Sequence, residues 1–338
     1  MARFGSLHHI IIEGYNKFAM RMRLLLTCAA AIGLLVSCGG PKGSAPAGSA
    51  QTETDLRAVR PEAAFSGRIL FQSDLDGDNE IYVLTADGLT KLTDNAWDDR
   101  YARWSPDGKK IAFSANPKGN FDLFVMGADG MNPEAVTDSP EDELDVAWAP
   151  AGRSLVFTRD ARRTPGGDES IWSIDLASRR AAEAVRGFRR SNGLADVSPL
   201  SRGIAFTGKR PLGGWGIFLF NPGDETVLEL AKGGGACRPR FSPDGQKIAY
   251  VSSDADGKGD VWVMNADGSA KERITARDDT YDYFPSWSPD GKRIVFCSNA
   301  RDKYADKGDW GLYLVSLADR TIVKLLDTPG RDVFPDWR

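Results

Sequence analysis

One phrase recurs along the chain. "RWSPDGKKIAFSA" runs from Arg103 to Ala115, "RFSPDGQKIAYVS" starts at Arg240, and "SWSPDGKRIVFCS" starts at Ser286. A chain that spells the same words at a near-constant period builds one small structural unit several times over. The aromatic residue ahead of the turn gives the period. It stands at Trp104, Trp148, Phe241, Trp287 and Trp337, with Val197 in a degenerate copy, and successive spacings are 44, 49, 44, 46 and 50 residues.

Every unit has the same internal order. A short segment ends in the aromatic residue, and a turn follows, "SPDG" at Ser105, Ser242 and Ser288 and "APAG" at Ala149. An alternating apolar run such as "KKIAF" or "KRIVF" comes next, then a variable polar loop, then a second run such as "EIYVL", "DLFVM" or "DVWVM". An "ADG" turn and a last short run close the unit. Runs of Val, Ile, Phe, Tyr and Trp read as strands. In the turns Pro presets φ, Asp bonds its own backbone, and Gly supplies a positive φ. Each unit is therefore four antiparallel strands in roughly 45 residues, the period of one β-propeller blade. Six ruler residues but only five complete units are reconciled by the ends. The chain stops at "DVFPDWR", a lone first strand, and the folded part starts at "SGRILFQSDLDGDNEIYVLTADGLTKLTD", the other three. The expected fold is all-β: a six-bladed β-propeller of residues 66–338, closed by the C-terminal strand against the N-terminal blade.

"YFPSWSPDGKRIVFCS" and "RFSPDGQKIAYVSSDADGKGDVWVMNADGSAKERIT" resemble the repeats of the TolB-like β-propeller family over nearly all of residues 66–338. The resemblance implies the propeller fold and a place in the bacterial envelope. In the family's namesake the propeller binds a peptidoglycan-associated lipoprotein, although the repeats alone carry over no contact residue. The namesake also has an α/β domain ahead of its propeller, where this chain has a short tether.

The first residues read as targeting, not fold. Arg21 and Arg23 precede an apolar run from Leu24 to Val36, too short to span a bilayer comfortably, which ends in Leu35-Val36-Ser37-Cys38. This resembles a bacterial lipobox. Residues 1–37 are expected to be a lipoprotein signal peptide, with translation starting at Met20 or Met22. Residues 38–65 would be the lipidated Cys38 and a Gly/Ser/Ala/Pro-rich tether. Gly39 after the cysteine suggests the outer membrane, and a location facing the periplasm is expected, although Gly39 itself does not set the orientation. The net charge of −4 gives no basic footprint for nucleic acid. A monomer touching membrane only through its lipid is expected.

Histidine limits the chemistry. The chain has His8 and His9 and no other, so residues 38–338 supply no Ser-His-Asp or Cys-His device and no histidine-held metal. No G-x-S-x-G elbow exists. The propellers of prolyl-oligopeptidase-type enzymes resemble such domains, but these residues encode no hydrolase domain. No enzyme activity and no cofactor are expected. The leading reading is non-catalytic binding of an envelope protein or peptide. The alternatives are a glycan or small ligand in the channel, or a carboxylate-based carbohydrate-active enzyme.

Asp74, Asp76 and Asp78 alternate as in a calcium loop, but an EF-hand would need Gly and Glu where Asn79 and Thr85 stand. The repeat reads the segment as a turn, and no metal is expected. Trp104, Trp148, Trp287 and Trp337 share one repeat position, which marks them as packing between blades. Trp97, Trp215 and Trp310 lie in or beside variable connections and are candidates for exposed contacts. Short "SPDG" and "ADG" turns share one face of the disc; long, unlike connections share the other, where recognition commonly collects. Residues entering the innermost strands, Tyr101, Asp145, Arg238, Phe284 and Phe334, are expected to ring the channel mouth there. Cys237 and Cys297 read as two buried thiols, with a disulfide permitted by an oxidising compartment.

Overall fold

The computed structural model describes residues 61, 63–201, 203–277, 279–299 and 310–338. The expected signal peptide, Cys38 and the expected tether as far as residue 60 lie outside the described residues. Within them the chain forms twenty-four strands in six four-stranded antiparallel sheets. The sheets are the blades, and their innermost strands touch in cyclic order. These are β4 (Asp99–Trp104), β8 (Asp142–Trp148), β12 (Asn192–Val197), β16 (Cys237–Phe241), β20 (Tyr281–Trp287) and β24 (Val333–Trp337). The fold is the expected six-bladed β-propeller.

The repeated words do the work assigned to them. In "SPDG" the Ser105 hydroxyl lies 2.7 Å from Asp107 Oδ1 and accepts the Lys110 amide at 2.9 Å. Gly108 holds φ at +69°, a conformation costly for any residue with a Cβ. The same bonds recur at Ser242 and Ser288. The ruler tryptophans are buried between blades. Trp104 joins Leu70, Ile81 and Val83 of the preceding sheet to Ile111 and Phe113 of its own. The indole N–H groups of Trp148 and Trp287 donate to the carbonyls of Arg103 and Arg240 in the previous blade, at 3.1 and 3.0 Å. The phrase thus supplies both the hairpin and the mortar between neighbours.

One blade is made from both ends of the described chain. β24 pairs with β1 (Ile69–Ser73), Trp337 opposite Ile69 and Asp336 opposite Leu70; β2 (Glu80–Thr85) and β3 (Gly88–Lys91) complete the sheet. The Arg338 amide donates to Arg68 O at 2.8 Å, and the Trp337 indole donates to Ser66 O at 2.8 Å. Phe65, one residue ahead of the expected boundary, is buried edge-on against Trp337 with ring centroids 5.9 Å apart. Among the described residues no long inner edge is left open. Cys237 and Cys297 are both buried and both free within one core cluster. Burial pushes the Cys237 thiol up to about 11, which disfavours the thiolate form at neutral pH.

Candidate functional site

Each inner strand breaks its pairing once. The register slips between Arg100 and Arg103, Leu144 and Ala147, Gly193 and Asp196, Cys237 and Arg240, and Tyr283 and Ser286, with a matching slip where β24 meets β1. At every slip one non-glycine residue takes a left-handed backbone: Tyr101, Asp145, Leu194, Arg238, Phe284 and Phe334, with φ between +53° and +59°. Such a conformation costs on the order of 1 kcal/mol or more per residue and needs support. The preceding blade gives it. The Tyr101 amide donates to Gln72 Oε1 at 3.0 Å, the Leu194 amide to Thr158 Oγ1 at 3.0 Å, and the Arg238 amide to Thr207 Oγ1 at 2.9 Å. The bulge turns these six side chains into the channel, where they line one cavity.

Five of the six were expected at the channel, and the structure brings them together. Arg238 lies over Phe284 at 4.2 Å and over Phe334 at 5.0 Å. Phe334 also meets Phe284 at 4.0 Å and Tyr101 edge-on at 4.6 Å. Phe284 is 6% exposed, so it forms a wall of the channel and not an open rim. Leu194 was missed because its repeat copy is degenerate; counting three residues back from Val197 finds it.

A charged layer lies two residues further along the same strands, and the sequence reading did not find it. Arg103 Nη2 meets Asp196 Oδ1 at 2.8 Å, and Arg103 Nε meets Asp336 Oδ1 at 2.9 Å. Asp336 sits in the neighbouring blade, but Asp196 belongs to β12, beyond β8, so the Arg103 pair crosses the channel. The other oxygens of these carboxylates accept backbone amides, Asp336 from Trp104 and Asp196 from Phe241, both at 2.8 Å. Burial alone would favour a neutral guanidine, but Asp336 and Asp196 outweigh it and raise Arg103 above its ordinary value. Arg240 approaches Asp196 only at 3.7 Å, and among the described residues its buried Nη1 has no hydrogen-bond partner. The free volume between the two layers is about 40 Å³. At about 10–15 Å³ per water this holds a few waters and is far too small for a sugar ring.

The tryptophan expectation needs correction. Trp97 is 40% exposed, but Trp215 and Trp310 are 8% and 2% exposed and offer no surface contact. Trp310 fills the core against Tyr283, at 5.9 Å, and Phe284, at 6.3 Å. Trp215 starts β14 (Trp215–Asn221), in register with Lys209. Both stand at the start of third strands, and at that end of the blade the pairing has already drawn the chain inward.

Many acids of the loop face are also internal. Asp99, Glu143, Asp282 and Asp332, at one repeat position, are essentially buried. Each holds its own connection: the Glu143 carboxylate takes Arg159 and Ser139, at 2.6 and 3.1 Å, and Asp332 accepts the Thr328 amide at 2.9 Å and meets its hydroxyl at 2.8 Å. Asp74, Asp76 and Asp78 diverge in use. Asp74 accepts the Arg331 amide at 2.8 Å, Asp76 pairs with Lys91, and burial raises Asp78.

Burial pushes Asp332 up to about 7, against 3.8 for an ordinary aspartate. The folded state therefore holds this proton more tightly than the unfolded chain does. Its stabilising contribution is full below about pH 4 and is lost as pH rises through 7. Asp332→Asn imitates the neutral acid toward Thr328. Relative to the parent, this variant should gain on the order of a few kcal/mol between pH 4 and pH 8, read by urea unfolding at both. A difference independent of pH would contradict the assignment.

A closed six-bladed propeller with a side-chain-filled channel defines the class. The TolB beta propeller domain matches residues 120–306, and the chain belongs to that family. It is 24% identical over 234 residues to dipeptidyl-peptidase 5 of Porphyromonas endodontalis, a match covering 67% of this chain and 33% of that protein. It is 23% identical over 301 residues to the Tol-Pal system protein TolB of Francisella tularensis, covering 85% of this chain and 61% of that one. The chain thus spans about a third of the peptidase and under two thirds of that TolB. Among solved structures, TolB from Acinetobacter baumannii superposes with a TM-score of 0.68 at 22% identity, over 81% of this chain and 67% of that one.

Proposed function

We propose that this chain is a lipid-anchored envelope propeller that docks another envelope protein or a peptide, without catalysis, at the loop-lined end of its channel. One observation carries the reading. Around the ring the ruler position is nearly constant, Trp in four blades of six, whereas the strained position three residues earlier reads Tyr, Asp, Leu, Arg, Phe and Phe. Identical parts build the ring. Unlike side chains held at equivalent, costly positions are what a recognition surface needs. The family supports an envelope setting, and the lack of histidine past His9 supports a binding role over hydrolysis. The small channel disfavours a glycan within it.

The test is photo-crosslinking in cells, with the reactive residue replacing Trp97 on the loop face or Lys109 on the turn face. Trp97 should capture a defined envelope protein and Lys109 should not, while Cys38→Ala should lose lipid labelling. Capture of the same protein from Lys109 alone would overturn the face, and labelling that persists without Cys38 would overturn the anchor.

A further inference from the structure

Among the described residues, one guanidinium of the channel is left unengaged by the acids around it. Arg103 is fully used by Asp196 and Asp336. Arg238 is different. Its guanidinium rests on the faces of Phe284 and Phe334, and among the described residues no carboxylate lies within ion-pair distance of it. Arg240, two residues on in β16, has among the described residues a buried Nη1 without an acceptor and a single carboxylate contact, at 3.7 Å. Both side chains line the same small cavity. A guanidinium lying over aromatic rings keeps its N–H edge for a planar acceptor, and carboxylate is the group that matches that edge with two parallel bonds.

Building on the docking reading above, we propose that a partner's acidic side chain, aspartate or glutamate, enters this cavity and pairs with Arg238, with Arg240 beneath it. Size and charge select it. About 40 Å³ admits the tip of a side chain and not a folded surface. Asp145 lines the same cavity, which favours a monoanion over a phosphate dianion. Docking at the loop face then has an anchor point at its centre, where burial strengthens a charged pair.

The probes are three short peptides titrated into the full-length protein with arginine side chains labelled for NMR. The first is acetyl-Gly-Glu-Gly-amide, the second its Gln counterpart, and the third acetyl-Gly-Gln-Gly with a free carboxyl end. The Glu peptide should move the Nε–Hε signals of Arg238 and Arg240 saturably, at concentrations at least tenfold below those at which the other two act. Arg238→Gln should raise the concentration needed to move the Arg240 signal at least tenfold, with an unchanged melting temperature showing that the ring is intact. Equal response to Glu and Gln, response only at the exposed Arg189 and Arg190, or preference for the free carboxyl end would each overturn the proposal. Crosslinking from Trp97 separates this from the docking reading. Capture undiminished by Arg238→Gln would sink the acidic anchor and leave docking standing, whereas no capture by the parent would sink docking itself.

Discussion

A chain ending at Arg331 should lose the cooperative thermal transition of the parent. The deletion removes β24, and with it Val333 and Trp337, which are 0% and 7% exposed. It strips the inner partner from β1, leaving Ile69 and Leu70 at an open edge. It also removes Asp336, one of the two carboxylates that hold Arg103. Losing a buried tryptophan side chain alone costs about 3–5 kcal/mol, and a whole domain of this kind is stable by only about 5–15 kcal/mol. Trp337→Ala is the milder form and should lower the urea midpoint without abolishing the transition. A deletion variant melting within a few degrees of the parent would show that the ring does not depend on its last strand.

The second large effect is expected at Arg103. Arg103→Met keeps most of the side chain's bulk but leaves Asp196 and Asp336 facing each other across the channel without their shared cation. Removing one partner of a buried pair costs about 3–5 kcal/mol, chiefly because the remaining charge is stranded. Adding Asp196→Asn and Asp336→Asn to Arg103→Met should recover much of the loss, since Asn can still accept the Phe241 and Trp104 amides. Chemical denaturation of the single and triple variants reads both. A single variant as stable as the parent would mean the ion pair carries no weight in closing the channel.

The fold was legible because it is repeated. Pro-Asp-Gly turns, alternating apolar runs and an aromatic ruler point to the same blade, and the split between the two ends of the folded part forces closure. The channel layer was half legible: five of six residues follow from their place in the first strand, and Leu194 failed only where the ruler itself is Val197. What sequence could not show was depth. Trp215 and Trp310 stand beside long connections yet are buried, because a strand start can lie inside the disc while its loop lies outside. Asp99, Glu143 and Asp282 follow long polar connections, yet each is drawn in to accept bonds from its own connection. The Arg103–Asp196 pair links residues 93 positions apart across a ring, and no local pattern encodes a contact of that kind.

Closure by the last strand also has a consequence in time. β1, β2 and β3 are made first, yet their sheet lacks its innermost member until Trp337 has been synthesised. Contacts between chain ends are the slowest to form, since the longest loop must close before they give anything back. The first blade must therefore wait, incomplete, through the making of all the others. Its exposed strand would offer a partner-seeking edge to any neighbouring chain in the interval. The protein's vulnerability to misassembly is thereby concentrated in one blade and one late moment of its synthesis.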